Sequence, residues 1–103
     1  MQETTIKEEG TKYDLGKPDF SLMPPSVLID VVKVLTLGSE KYSRDNWMHL
    51  DDAENRYFAA AQRHMWARKN GELYDDESGL DHAAHAICCM IFLMAITKKD
   101  SIN

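Results

Sequence analysis

The groups in this chain best suited to chemistry are crowded into Asp75-Asp76-Glu77-Ser78-Gly79-Leu80-Asp81-His82-Ala83-Ala84-His85-Ala86. On helical spacing His82 and His85 are i, i+3 neighbours and Asp81 and His85 are i, i+4 neighbours. Two imidazoles and a carboxylate can therefore point into one space. Glu72 lies just upstream, and His64 further back on another element. Carboxylate oxygens suit the hard ions magnesium and manganese, which also bind phosphate oxygens, whereas imidazoles pull the preference toward manganese, zinc or iron. Asp76, Glu77, Asp81, His82, His85 and His64 are accordingly the candidate ligands of a divalent metal, most readily Mg2+ or Mn2+. Glu72, Glu77 and His82 are the candidate catalytic groups. Each acid alone reads more readily as a solvated turn or helix cap, and each histidine alone as a hydrogen-bonded core residue. Their concentration at the mouth of an apolar helix is what points to a metal or catalytic site.

A second set of residues suits a nucleotide. The irregular segment 12–20 carries Lys12 and Lys17, which can reach an anionic ligand as an extended arm. The stretch Gly38-Ser39-Glu40-Lys41-Tyr42-Ser43-Arg44-Asp45-Asn46-Trp47 is too polar for core yet holds a phenol, an amide and an indole. Glu40, Lys41, Tyr42, Asn46 and Trp47 are taken as substrate-binding candidates, with stacking of a flat ring on the aromatics. Arg63 adds positive charge beside His64. Acids, imidazoles and a local basic set together describe metal-assisted attack of water on a phosphoanhydride. No nucleophilic triad, phosphate-cradling glycine loop or zinc-finger spacing competes with that reading.

Three helices must position these groups. Pro24-Pro25-Ser26 suits the first turn of helix one, whose apolar residues keep helical spacing up to Gly38. Asp51 or Asp52 can cap helix two, along which Tyr57, Ala60, Ala61, His64 and Ala67 form a narrow stripe of mostly small residues. Small residues allow close helix approach, which would bring His64 to the start of helix three. Arg68 and Lys69 followed by Gly71 end helix two. Helix three is expected over 79–97 and is apolar on every face beyond His85. With neither strand alternation nor repeats, the fold class is all-α: a bundle of three main helices with an irregular N-terminal arm.

At 103 residues the chain makes one small domain, expected over 12–103 behind a flexible segment 1–11. A net charge of -5 and the absence of a basic tract argue against a nucleic-acid polymer as partner. Adjacent Cys88 and Cys89 read as small buried hydrophobes in a reducing compartment. The apolar part of helix three is roughly 15 to 18 Å long at ~1.5 Å per residue, too short for a ~30 Å hydrocarbon core. No signal-peptide core precedes it, so a cytoplasmic protein with no membrane contact is expected. Two other helices cannot cover an all-round apolar helix, so a homo-oligomer, dimer or higher, is expected to complete the fold.

Lys17-Pro18, Gly38-x-Glu40-Lys41-Tyr42 to Asn46-Trp47, Tyr57-x-x-Ala60 to Arg63-His64, Gly71-Glu72 and Asp75-x-Glu77-Ser78-Gly79-Leu80-x-His82-x-x-His85-Ala86 together resemble the phage-associated dATP/dGTP diphosphohydrolase family. The resemblance extends over about residues 12–96, and the run from Gly71-Glu72 to His85 is its most specific part. It implies an all-α fold related to MazG-like nucleotide pyrophosphohydrolases, a divalent metal, and cleavage of a purine deoxynucleoside triphosphate to monophosphate and pyrophosphate. If phage-encoded, the protein would work in the host cytoplasm. One departure matters: the ExxE and ExxD ligand pairs of MazG-like enzymes are absent from the matching places, and His82-x-x-His85 stands where ExxD would be. No residue role is therefore carried over from that group. The alternative from another class is a non-catalytic protein that sequesters a nucleotide in the same pocket.

Overall fold

A computed structural model describes residues 15–102, with side chains described over 15–98. Three α-helices carry the fold: α1 (Pro25–Lys41), α2 (Ala53–Lys69) and α3 (His82–Ile102). Short 3-10 turns at Phe20–Leu22 and Asn46–Met48 precede α1 and α2. The architecture is all-α as expected, and an isolated antiparallel bridge between Tyr74 and Asp81 is the extended pairing found among the described residues.

Each helix boundary has a local cause. Pro25 starts α1, where a fixed φ and a missing N–H cost nothing. The helix continues past Gly38, its expected stop, and closes when the Tyr42 N–H reaches Gly38 O at 2.9 Å. Gly38 leaves the i, i+4 ladder intact, and the residues that follow it are ordinary helix formers. Glu40 and Lys41 consequently sit on the last turn of a helix rather than in a loop. Asp52 does precede α2, but in the left-handed region (φ 54°) and without a side-chain bond to the backbone. Its carboxylate accepts instead from Asn55 Nδ2 at 3.1 Å. Helix α2 ends as expected, with Arg68 and Lys69 in the last turn and Gly71 at φ 99°.

The start of α3 moves from residue 79 to His82 because the acidic run folds into a tight turn of its own. Asp75 Oδ2 accepts the N–H groups of Glu77 (3.1 Å) and Ser78 (2.9 Å), and the Gly79 N–H donates to Asp75 O at 2.8 Å. Gly79 takes φ 74°, a conformation that disfavours a Cβ. Two further bonds, Asp75 N–H to Leu80 O and His82 N–H to Leu73 O, zip the two arms of the turn together. Asp81 then caps α3, its Oδ1 accepting the Ala83 N–H at 2.7 Å.

Helix α3 is the central element, packed on both α2 and α1. Its Ala84 and Cys88 meet Val31 and Val34 of α1, flanked by Leu35, Leu80 and Phe92. The Cys88 thiol donates to Val31 O at 3.3 Å. Ala61 of α2, 1 % exposed, marks the close approach that the small-residue stripe predicts. Among the described residues α3 is not covered on every side: Ile87, Met90, Ile91 and Met94 are exposed, as are Val27, Leu28, Ile29 and Val32 of α1. No helix among the described residues is long and apolar enough to cross a membrane.

Candidate functional site

Three histidines meet where the first turns of α3 pass the middle of α2. His64 Nδ1 and His82 Nδ1 are 2.9 Å apart, one imidazole donating and the other accepting. The His85 ring stacks on His64 with centroids 4.5 Å apart and planes 13° from parallel. The short side chains along α2 allow this approach, and the 82/85 spacing puts both α3 imidazoles on the side facing α2. The turn before α3 brings in the carboxylate. Asp75 lies beside the imidazoles, its Oδ2 3.8 Å from His85 Nε2. His64, Asp75 and His82 each offer a ligand atom within 4.8 Å of the other two. Two imidazole nitrogens and one carboxylate oxygen make a donor set fit for a borderline divalent ion such as manganese, iron or zinc.

The electrostatics favour ligation. Burial, reinforced by the neighbouring His85 and His82, pushes the His64 pKa below its ordinary value. Burial likewise lowers His85, against the pull of the Asp75 charge. Both rings are thus neutral near pH 7, the form in which imidazole binds metal or accepts a proton. For Asp75 burial acts to raise the pKa, but the Ser78 N–H and the His85 and His64 imidazoles outweigh it and hold the carboxyl below its usual range. Ser78 orients the third ring: its Oγ lies 2.7 Å from His85 Nε2 and accepts the Leu80 N–H at 3.1 Å.

Two of the three imidazoles, those of His64 and His85, face a cleft of about 690 Å³ and form part of one of its walls. His64, His85 and Cys89 lie on that wall, the C-terminal half of α1 forms a second, and Tyr42 to Trp47 form the third. Its aromatic lining is an ordered cluster: Phe92 stacks on Trp47 at 6.0 Å between centroids and meets Tyr57 at 5.1 Å. Phe92, one of the apolar residues of α3, is therefore turned into the cleft. Burial raises the Tyr57 phenol and pushes the Cys88 thiol to about 12, so these groups are protonated.

The structure brings together only part of the sets named from sequence. His64, His82 and His85 converge, and Tyr42, Asn46 and Trp47 line the cleft. Asp81 does not join the imidazoles, because Arg68 holds it in a two-point pair, Nε to Oδ1 at 2.8 Å and Nη2 to Oδ2 at 3.3 Å, and lowers its pKa. Glu77 is exposed and bound to Lys41 at 3.1 Å, a pairing that also occupies a proposed substrate group. Glu72 and Asp76 are exposed and lie outside the three-residue group. Lys17, Glu40 and Arg63 are exposed and do not line the cleft, and Lys12 falls outside the described residues. Sequence spacing missed Asp75 as the converging acid, Ser78 as the partner of His85, and Arg44, Tyr57 and Phe92 as cleft residues. A signal for Asp75 existed in Asp-x-x-Ser-Gly ahead of a second capping aspartate, the pattern of a turn closed by its own side chain.

Comparison with known proteins gives two matches. The family model described as "dATP/dGTP diphosphohydrolase, N-terminal" matches residues 7–102. The chain is 39 % identical over 84 residues to a protein named dATP/dGTP diphosphohydrolase from Salmonella phage PMBT28, a stretch covering 82 % of this chain. It spans 28 % of that relative's length. No solved structure matches.

Proposed function

The chain belongs to the dATP/dGTP diphosphohydrolase N-terminal family, and on that premise we propose that it hydrolyses a purine deoxynucleoside triphosphate to the monophosphate and pyrophosphate with the help of a divalent metal. The observation that carries this reading is the convergence of His64, His82 and Asp75 beside an aromatic-lined cleft that His64 itself lines and that is large enough for a nucleotide. A polyphosphate needs positive charge where it reacts, and the base needs a flat apolar surface; the cleft offers candidates for both.

In this reading His64, His82 and Asp75 hold the ion. Bound there, it would neutralise charge on the phosphates and acidify the attacking water. The water oxygen forms a bond to the α-phosphorus, the bond from that phosphorus to the bridging oxygen breaks, and pyrophosphate leaves with the electron pair. His85, neutral through burial and fixed by Ser78, takes the water proton, and the Asp75 charge stabilises the resulting imidazolium. Trp47, Tyr57 and Phe92 hold the base by stacking, with Asn46 beside them to bond its edge. The exposed apolar faces of α1 and α3 support self-association. The same reading places the protein in the cytoplasm, where free nucleotides are found.

Pyrophosphate release from each deoxynucleoside triphosphate, with magnesium or manganese and after chelation, tests this. Release from dATP or dGTP that stops on chelation is expected. Tight binding with no release under any metal would reduce the function to sequestration.

A further inference from the structure

The triphosphate required by the proposed function carries about four negative charges near pH 7, and few cations in the described structure are free to meet them. Lys41 is bound to Glu77 and Arg68 to Asp81, and neither lines the cleft. Lys17 and Arg63 are exposed and do not line the cleft, although Arg63 lies near enough to act on His64 and Cys89. Arg44 is different. It projects from the loop between α1 and the 3-10 turn Asn46–Met48, lines the same cleft as His64 and His85, and makes no hydrogen bond or ion pair with another described residue.

We infer that Arg44 is the phosphate anchor of this cleft, gripping the polyphosphate end of the substrate while Trp47, three residues on, meets its base. The inference rests on the functional reading above and deepens it by naming the group that reads the polyphosphate. A guanidinium offers two parallel N–H donors to phosphate oxygens and stays charged at every working pH, so one such side chain can supply a directional contact that a surface lysine cannot. The position between Tyr42 and Asn46 fits the task, since one short loop then addresses both ends of a nucleotide. Because Arg44 is exposed and pairs with no other described residue, its replacement should leave the fold intact.

The test compares wild type, Arg44→Ala and Arg44→Lys in the full chain. KM for dGTP is measured by pyrophosphate release, and competition by inorganic tripolyphosphate and by uncharged deoxyguanosine is measured alongside. Loss of one charge-assisted contact should weaken dGTP and tripolyphosphate by about tenfold to a hundredfold in Arg44→Ala, with Arg44→Lys recovering part of it. Deoxyguanosine should compete equally well in all three. An unchanged KM in Arg44→Ala, or equal weakening of deoxyguanosine and tripolyphosphate, overturns the role of Arg44 while leaving the hydrolase reading in place. Absence of both dGTP turnover and tripolyphosphate binding in wild type overturns both.

Discussion

Asp75 does two jobs with one carboxylate, closing the turn before α3 and facing the imidazoles. An amide can do the first job and not the second. Asp75→Asn should therefore keep an acceptor for the Glu77 and Ser78 N–H groups, leave the fold unchanged, and lower Mn2+ affinity by about 10- to 100-fold. Calorimetric titration with Mn2+ checks this, and an unaltered affinity would remove Asp75 from the ligand set. The histidines also predict how stability follows pH in chelated protein. His64 and His85 titrate below the ordinary 6.5 when folded, so their contribution is complete above about pH 6.5, where they are neutral in both states. As the pH falls below that value the unfolded chain binds protons the folded chain resists, and stability declines toward the folded pKa values. Asp75 and Asp81, lowered from 3.8, add a contribution that is present above that value and is lost as the pH falls through their folded values. The urea midpoint should drop between pH 7.5 and 5.5; a flat profile would mean that the imidazoles are not desolvated.

At the scale of elements, the turn from Tyr74 to Asp81 sets the angle at which α3 leaves α2. Gly79 holds φ 74° with open space where a Cβ would stand, so Gly79→Ala should cost about 1 to 2 kcal/mol from backbone conformation alone. Gly79→Asn should cost less, because asparagine tolerates the left-handed region. Equilibrium urea unfolding measures both, and equal losses would place the cost in packing. Asp81→Ala removes the α3 cap together with the partner of Arg68 and should destabilise by about 1 kcal/mol. Arg68→Ala should cost less, since the cap survives and the Arg68 side chain is 48 % exposed.

For the whole molecule, the outstanding feature is apolar surface on two helices at once. Met90 and Met94 on α3 are 49 % and 60 % exposed, and Val27, Leu28 and Val32 on α1 are close to half exposed. Burying a large apolar side chain contributes about 1.5 to 3 kcal/mol, so a second copy laid over these faces would gain substantially. Met94→Glu should shift the mass in light scattering from oligomer to monomer. Phe92→Glu is the wrong probe, because that ring lies against Trp47 and Tyr57 and its loss would damage the cleft itself. A native monomer at micromolar concentration would leave self-association without support.

Local physics made the helices legible. Apolar spacing marked α1, a stripe of small residues marked α2 and a continuous apolar run marked α3, while Pro25 placed the start of α1 and Arg68, Lys69 and Gly71 placed the end of α2. The i, i+3 relation of His82 and His85 follows from helical geometry alone, and the small residues of α2 foretold the approach of His64. Which carboxylate would join them could not be read in the same way. Asp75, Asp76, Glu77 and Asp81 have similar chemistry and lie within seven residues, so their fates depend on backbone direction and on distant partners. Arg68 claims Asp81, Lys41 claims Glu77, and the turn's own hydrogen bonds aim Asp75 inward. The start of α3 shifted for the same reason, because side-chain closure of the turn outcompeted helix at 79–81. The cleft is tertiary in origin too: Tyr57, Phe92 and Arg44 come from three separate segments, and only the packing of α3 against its neighbours puts them around one space.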